Sequence, residues 1–132
     1  APFGTGCRGR GGVPSIKAIG ASLPWSGETF RGEIGSVPNG ATALLLIGPR
    51  LRNPLDLAFV SSPGCLLRVD IDNSLTVPVA SGAARFSFRV PTNTNLIGRV
   101  ADTQGAVIDP ARAPSDPLVA TTGGLALRIG LR

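Results

Sequence analysis

Acid–base and nucleophilic chemistry has little to work with in this chain. It contains no His and no Tyr, and Lys17 is its single lysine, so imidazole bases, His metal ligands and most other proton-transfer groups are missing. Serines such as Ser61, Ser62 and Ser74 have only carboxylates or Lys17 to activate them, whereas nucleophilic catalysis needs a base beside the nucleophile. Eight acidic residues are scattered through 132 positions, and no region suggests a cleft that would set two of them across a sugar ring. No enzymatic activity is expected.

Two short constellations offer binding chemistry instead. Asp70-Ile-Asp72-Asn73 places oxygen ligands at alternate positions leading into a turn, as the start of a Ca²⁺ loop does, but the later Gly and the distal bidentate Glu are missing. The plainer reading is a strand end whose Asx side chains satisfy turn amides. Apart from this weak calcium candidate, no cofactor is expected. Arg8-Gly-Arg10-Gly-Gly resembles an RGG element, which contacts anions through charge and stacking. A single copy beside a cysteine reads more simply as a soluble arm, and nucleic acid is not the expected partner. Trp25, the only Trp, sits in the turn context Leu-Pro-Trp-Ser-Gly and is either a sugar-stacking platform or interface anchor, or a cap on the fold.

The formal charge of +5 comes from 13 cations, 12 of them Arg, against eight acids. Such a balance fits anionic partners, or a GC-rich genome that writes Arg for Lys, since outside the Arg8/Arg10 pair the cations are dispersed. Cys7 and Cys65 are the only cysteines and lack CxxC spacing, so one long-range disulfide is the natural reading, with two buried thiols as the alternative. Closing a loop of about 58 residues stabilises a fold by about 4 kcal/mol in the chain-entropy model. The chain has no Met and begins Ala1-Pro2-Phe3, as expected of a secreted protein after signal removal, which agrees with a disulfide. No apolar run approaches the roughly 20 residues of a membrane helix.

The elements that must position these residues are strands. Gly (18) and Pro (12) interrupt nearly every helical window, while a mean hydropathy of +0.25 supplies apolar surface to bury. Residues 15–19, 28–37, 41–48, 65–71, 75–79, 83–90, 96–101, 106–108 and 124–132 read as strands. Residues 83–90 alternate most cleanly, with Ala84, Phe86, Phe88 and Val90 inward. Ala41 to Gly48 is apolar on both faces, as in a central strand, and Pro38-Asn39-Gly40 is a turn. Residues 49–64 and 109–117 read as loops. The pattern predicts a single all-β domain, an antiparallel β-sandwich or jelly roll of about eight short strands with one disulfide, over residues 13–132, preceded by a Gly-rich arm over 1–12 tethered only at Cys7.

Both termini suggest self-assembly. The final alternation of Leu125, Leu127, Ile129 and Leu131, with Arg128 among the outward residues, has no polar tail, and unprotected edges invite strand addition. The alternative is that these leucines complete their own sandwich. The expected function is an extracellular structural or assembly subunit of a surface layer, fibre or matrix, whose main partner is itself. The alternative is a secreted glycan-binding or adhesion module.

The order of landmarks also resembles a known pattern. It runs Phe3-Gly-Thr-Gly-Cys-Arg-Gly, Val13-Pro-Ser-Ile, Leu44-Leu-Leu-Ile-Gly, Asn53-Pro-Leu-Asp-Leu-Ala-Phe and Pro63-Gly-Cys-Leu-Leu-Arg-Val-Asp. An alternating strand to Val90-Pro, Asn95-Leu-Ile-Gly, a Gln, Val107-Ile-Asp-Pro and Thr122-Gly-Gly-Leu-Ala-Leu-Arg-Ile-Gly follow. This resembles an uncharacterised β-rich domain at the C-termini of large secreted proteins of planctomycete-like bacteria. The resemblance implies a secreted all-β fold, pairing of Cys7 with Cys65, and no enzymatic activity. Phe3 replaces the pattern's Tyr, and Arg99 and Asp102 stand where it is more apolar.

Overall fold

The computed structural model describes residues 2–9, 12–19, 28–58, 62–71, 73–89, 100–110 and 117–128. Among them are eleven strands and no α-helix. A five-stranded sheet runs in the order β1 (Pro2–Phe3), β11 (Val119–Arg128), β10 (Val100–Ile108), β4 (Thr42–Gly48) and β7 (Asn73–Val77). A four-stranded sheet runs β2 (Ser15–Ala18), β3 (Thr29–Gly35), β9 (Ala83–Arg89), β8 (Val79–Ala80). A two-stranded hairpin joins β5 (Arg50–Leu57) to β6 (Ser62–Val69). Every pairing is antiparallel.

The sandwich core follows from period-2 alternation. Phe30 and Ile34 of β3 and Ala84 and Phe86 of β9 face Ala43, Leu45, Val77, Val107, Leu125 and Leu127 of the larger sheet. Phe86 lies flat over Gly32, where an added Cβ would stand 2.3 Å from its ring, and Phe30 meets Phe88 with ring centroids 5.5 Å apart. The both-face apolarity of β4 has a direct cause. Ala43 and Leu45 enter the sandwich core, while Leu46 joins a second core with Val69 and Ala106 beneath the β5–β6 hairpin. The hairpin is thus a third layer on the back of the five-stranded sheet.

Four stretches differ from their sequence patterns. Residues 75–79, read as one strand, are divided at Pro78, with Leu75 to Val77 in β7 of the five-stranded sheet and Val79 in β8 of the four-stranded sheet. Residues 49–64, read as a loop, hold the hairpin instead. Nearly all of β5 is exposed, so burial imposes no alternation on it. Pro54 is tolerated because β5 pairs on one side only, and the ladder shifts register between Arg50 and Leu55. The two fragments read at 96–101 and 106–108 are replaced by the continuous strand β10, whose polar run Asp102-Thr103-Gln104 is buried with partners; residues 96–99 lie outside the described residues. The last strand starts at Val119, not Gly124, and the β10–β11 ladder shifts register between Gln104 and Ala106. The Gly105 amide there donates to Thr122 Oγ1 at 2.9 Å. The Pro38–Gly40 turn forms as read, with Gly40 at φ +81° and Ala41 N donating to Pro38 O.

The N-terminal segment is held at more than Cys7. Pro2 and Phe3 pair with Leu125 and Gly124, extending the five-stranded sheet. Gly124 is required by close approach, because a Cβ there would lie 2.1 Å from the Phe3 ring. Gly124→Ala is therefore expected to displace Phe3 and lower stability by about 1–3 kcal/mol, as overpacking does, read by urea denaturation. An unchanged midpoint would show that Phe3 does not seat on β11.

Candidate interaction surfaces

The sandwich has two flanks, and the sequence closes one of them. Cys7 and Cys65 form a disulfide, Cα–Cα 5.1 Å, which ties the N-terminal segment to β6. Cys7 N donates to Thr121 O at 3.0 Å and Thr121 N donates to Cys7 Sγ at 3.2 Å, so both edge groups of β11 at Thr121 are occupied. Phe3 is covered in turn by Arg50, whose guanidinium carbon lies 3.5 Å from the ring centroid while Nη2 meets Asp102 Oδ1 at 3.3 Å. Arg68 folds over Gly4 and donates from Nη2 to Thr5 O. Phe3, Gly4, Cys7, Cys65 and Gly124 lie along this closed flank.

Gln104, a landmark of the sequence pattern to which no structural role was given, joins the third layer to the sheet. It is fully buried, accepts from Arg68 N at 2.8 Å, and donates from Nε2 to Leu66 O and Thr122 O, each at 2.8 Å. Its side chain stands in for the missing ladder between β6 and β10. The available signal was compositional: the chain's only Gln interrupts an otherwise strand-like stretch.

The other flank is open among the described residues. β7 ends the five-stranded sheet, and beyond the two-residue β8 the outer side of β9 has no partner strand among them. The chain crosses between the sheets at Pro78. Between β7 and β9 lies a cavity of ≈ 290 Å³ lined by Leu75, Thr76, Val77, Pro78, Arg85, Phe86 and Ser87. Leu75 is 41% exposed.

Two further surfaces stand out. An apolar cleft of ≈ 260 Å³ opens between the hairpin and the sheet, with Leu44, Leu46, Leu57 and Ile108 in its walls and the exposed Leu55 and Ile71 also lining it. The outer face of the four-stranded sheet carries Lys17, Arg31, Arg85 and Arg89, all exposed, around the half-buried Glu33.

The other sequence candidates are placed as follows. Leu125 and Leu127 are buried in the sandwich core, and β1 pairs with β11 at Gly124 and Leu125. Arg128 is exposed, and Ile129 and Leu131 lie outside the described residues. Trp25, Arg10, Asp72 and Ser61 also lie outside them, while Arg8 is exposed. Asp70 is exposed, its amide donates to Pro49 O, and Asn73 begins β7 opposite Ile47. No cluster of three His, Cys, Asp or Glu suited to a metal ion occurs among the described residues. Ser62 is buried, its Oγ accepting from Val119 N, and Ser74 lies exposed on β7. Asp56 Oδ1 accepts from Ala58 N at 2.9 Å and from Gly64 N at 3.3 Å, linking the end of β5 to the start of β6. No helix among the described residues is long and apolar enough to cross a membrane. No family model matches the chain, and no curated protein matches it.

Proposed function

We propose that this domain is a non-enzymatic extracellular structural subunit that assembles by strand addition along β7. One observation carries the reading: β7 is an uncovered end of the five-stranded sheet and carries neither a charged residue nor a proline. Edges are normally guarded by charge, Pro or cover. The β2 edge carries Lys17, the outer side of β9 carries Arg85 and Arg89, the β5 edge has Arg50, Arg52, Pro54 and Asp56, and β11 is met by β1 at Gly124 and Leu125. The β7 sequence Asn-Ser-Leu-Thr-Val has no charge and no proline, and it exposes Leu75.

A second copy is the occupant that fits. Antiparallel pairing of β7 with its counterpart about a two-fold axis would join two five-stranded sheets into one and bring the two Leu75 side chains close to the shared edge. That contact alone closes at a dimer. A fibre or layer requires a second contact, for which the rim of the apolar cleft at Leu55 and Ile71 is available, because two different two-fold contacts on one subunit propagate.

Light scattering over a concentration series tests the proposal. The oxidised chain is expected to rise above its monomer mass of 13.4 kDa, whereas Leu75→Lys stays monomeric with an unchanged circular dichroism spectrum. A native chain that is monomeric throughout, or a lysine variant that assembles equally, would overturn it.

A further inference from the structure

We infer that the outer face of the four-stranded sheet binds a linear sulfated polysaccharide through Arg31, Arg85 and Arg89. This surface is separate from the β7 edge and from the Arg8–Arg10 segment. The strand register builds it. Arg31 of β3 lies directly opposite Ser87 of β9, and Arg85 and Arg89 stand two residues to either side of Ser87 on the same face. All four residues are exposed, and Thr29, opposite Arg89, is exposed beside them.

Three guanidinium groups therefore surround one hydroxyl on a flat, rigid sheet. At the strand rise, Arg85 and Arg89 are about 13 Å apart, with Arg31 level with their midpoint on the neighbouring strand. A polymer following β9 would meet a cation about every 6–7 Å, a spacing that suits a chain with about one anionic group per sugar ring. Guanidinium presents a planar fork of donors that matches oxyanions, and sulfate stays charged at every physiological pH.

By count the face carries four exposed cations, Lys17, Arg31, Arg85 and Arg89, against the two half-buried acids Glu28 and Glu33. Glu33 is aligned with Arg85 on one side and Lys17 on the other, and its Oε2 is 3.8 Å from Arg85 Nε. Arg85 nevertheless remains 78% exposed. Glu28 stands just before β3, at the Arg89 end of the face.

A sugar polymer fits better than a nucleic acid. Single strands are held by bases stacked on aromatic side chains, and duplexes by elements that enter a groove. Among the described residues this face carries no aromatic side chain, since Phe30, Phe86 and Phe88 all pack inward. The Cys7–Cys65 disulfide also suits an oxidising compartment, where acidic polysaccharides are the abundant polyanions.

The test is salt elution of the intact oxidised chain from immobilised heparin. Arg85→Gln/Arg89→Gln is compared with Arg8→Gln/Arg52→Gln, which removes the same charge from other surfaces. The native chain is expected to be retained at 150 mM salt. The face variant should lose about tenfold in affinity, with its log–log salt slope falling by about two, while the control variant elutes close to the native chain. Equal losses in both variants would reduce the effect to net charge and overturn the proposal, as would no retention of the native chain. Tighter retention on single- or double-stranded DNA than on heparin, lost in the same face variant, would overturn the assignment to a polysaccharide. Unchanged circular dichroism spectra for both variants establish that the readout is binding.

Discussion

Gln104→Leu is expected to destabilise the protein by on the order of 3–6 kcal/mol, because each buried backbone group left unpaired costs about 1–3 kcal/mol. Leucine fills a similar volume but leaves Arg68 N, Leu66 O and Thr122 O without the amide that satisfies them. Against a typical domain stability of about 5–15 kcal/mol, this brings the chain close to unfolding. The loss falls first on the β5–β6 layer, which is joined to the sheet through Gln104, the Arg50–Asp102 ion pair, the Val119 N to Ser62 Oγ hydrogen bond, the disulfide and side-chain packing. Urea denaturation followed by circular dichroism measures it. Gln104→Glu supplies a control of sign. The neutral carboxyl can still donate to one carbonyl, whereas the carboxylate meets two carbonyl oxygens in a buried site. Its folded-state ionisation is therefore raised above the ordinary Glu range, and the penalty is absent in acid and grows as pH rises. A Glu variant equally stable at acid and neutral pH would contradict the assigned hydrogen bonds.

The disulfide carries the second large effect. Cys7→Ser/Cys65→Ser, or reduction, releases a loop with a sequence separation of 58 and is expected to cost about 4 kcal/mol. For a chain of this size that lowers the melting temperature by about 12–20 °C. The consequence extends beyond entropy. Cys7 also engages both edge groups of Thr121, so loosening the N-terminal segment exposes the edge of β11. The reduced protein is therefore expected to aggregate on warming where the oxidised one does not. A reduced chain that melts within a few degrees of the oxidised chain would show that β1 pairing and packing alone hold the closed flank.

Where one face of a strand is buried and the other wet, the sequence was readable. The β9 alternation of Ala84, Phe86 and Phe88 against Arg85, Ser87 and Arg89 is realised residue for residue, and the doubly apolar β4 lies between two cores. The pattern fails where that condition fails. In β5 nearly every residue is exposed, so nothing selects a period of two. In β10, Thr103 and Gln104 are fully buried polar residues, and composition reads them as a break because their partners lie elsewhere in the chain. The all-β class and the single disulfide were legible because they depend on composition and on the chain having only two cysteines. The seating of Phe3 on Gly124 was not, since it joins opposite ends of the chain. The same applies to the candidate assembly edge. Strand character at residues 75–77 is visible locally, but the division at Pro78 and the place of β7 at the end of a sheet are properties of strand order, which no local pattern encodes.

The assembly and the cationic face are geometrically compatible. In an antiparallel edge contact the two-fold axis stands perpendicular to the joined sheet, so both four-stranded sheets lie on the same side of it. Their outer faces, with Arg31, Arg85 and Arg89, then point the same way, and a polymer long enough to span both subunits would bind with the gain of a linked second contact.

Hydrogen exchange of the oxidised chain, compared between dilute and concentrated solution, tests the central claim most directly. Assembly at β7 is expected to slow exchange of outward-facing amides within residues 73–77 as concentration rises, with the amides of β2 unchanged. Exchange at β7 that is independent of concentration, or protection that appears at β2 or along β11 instead, would contradict it.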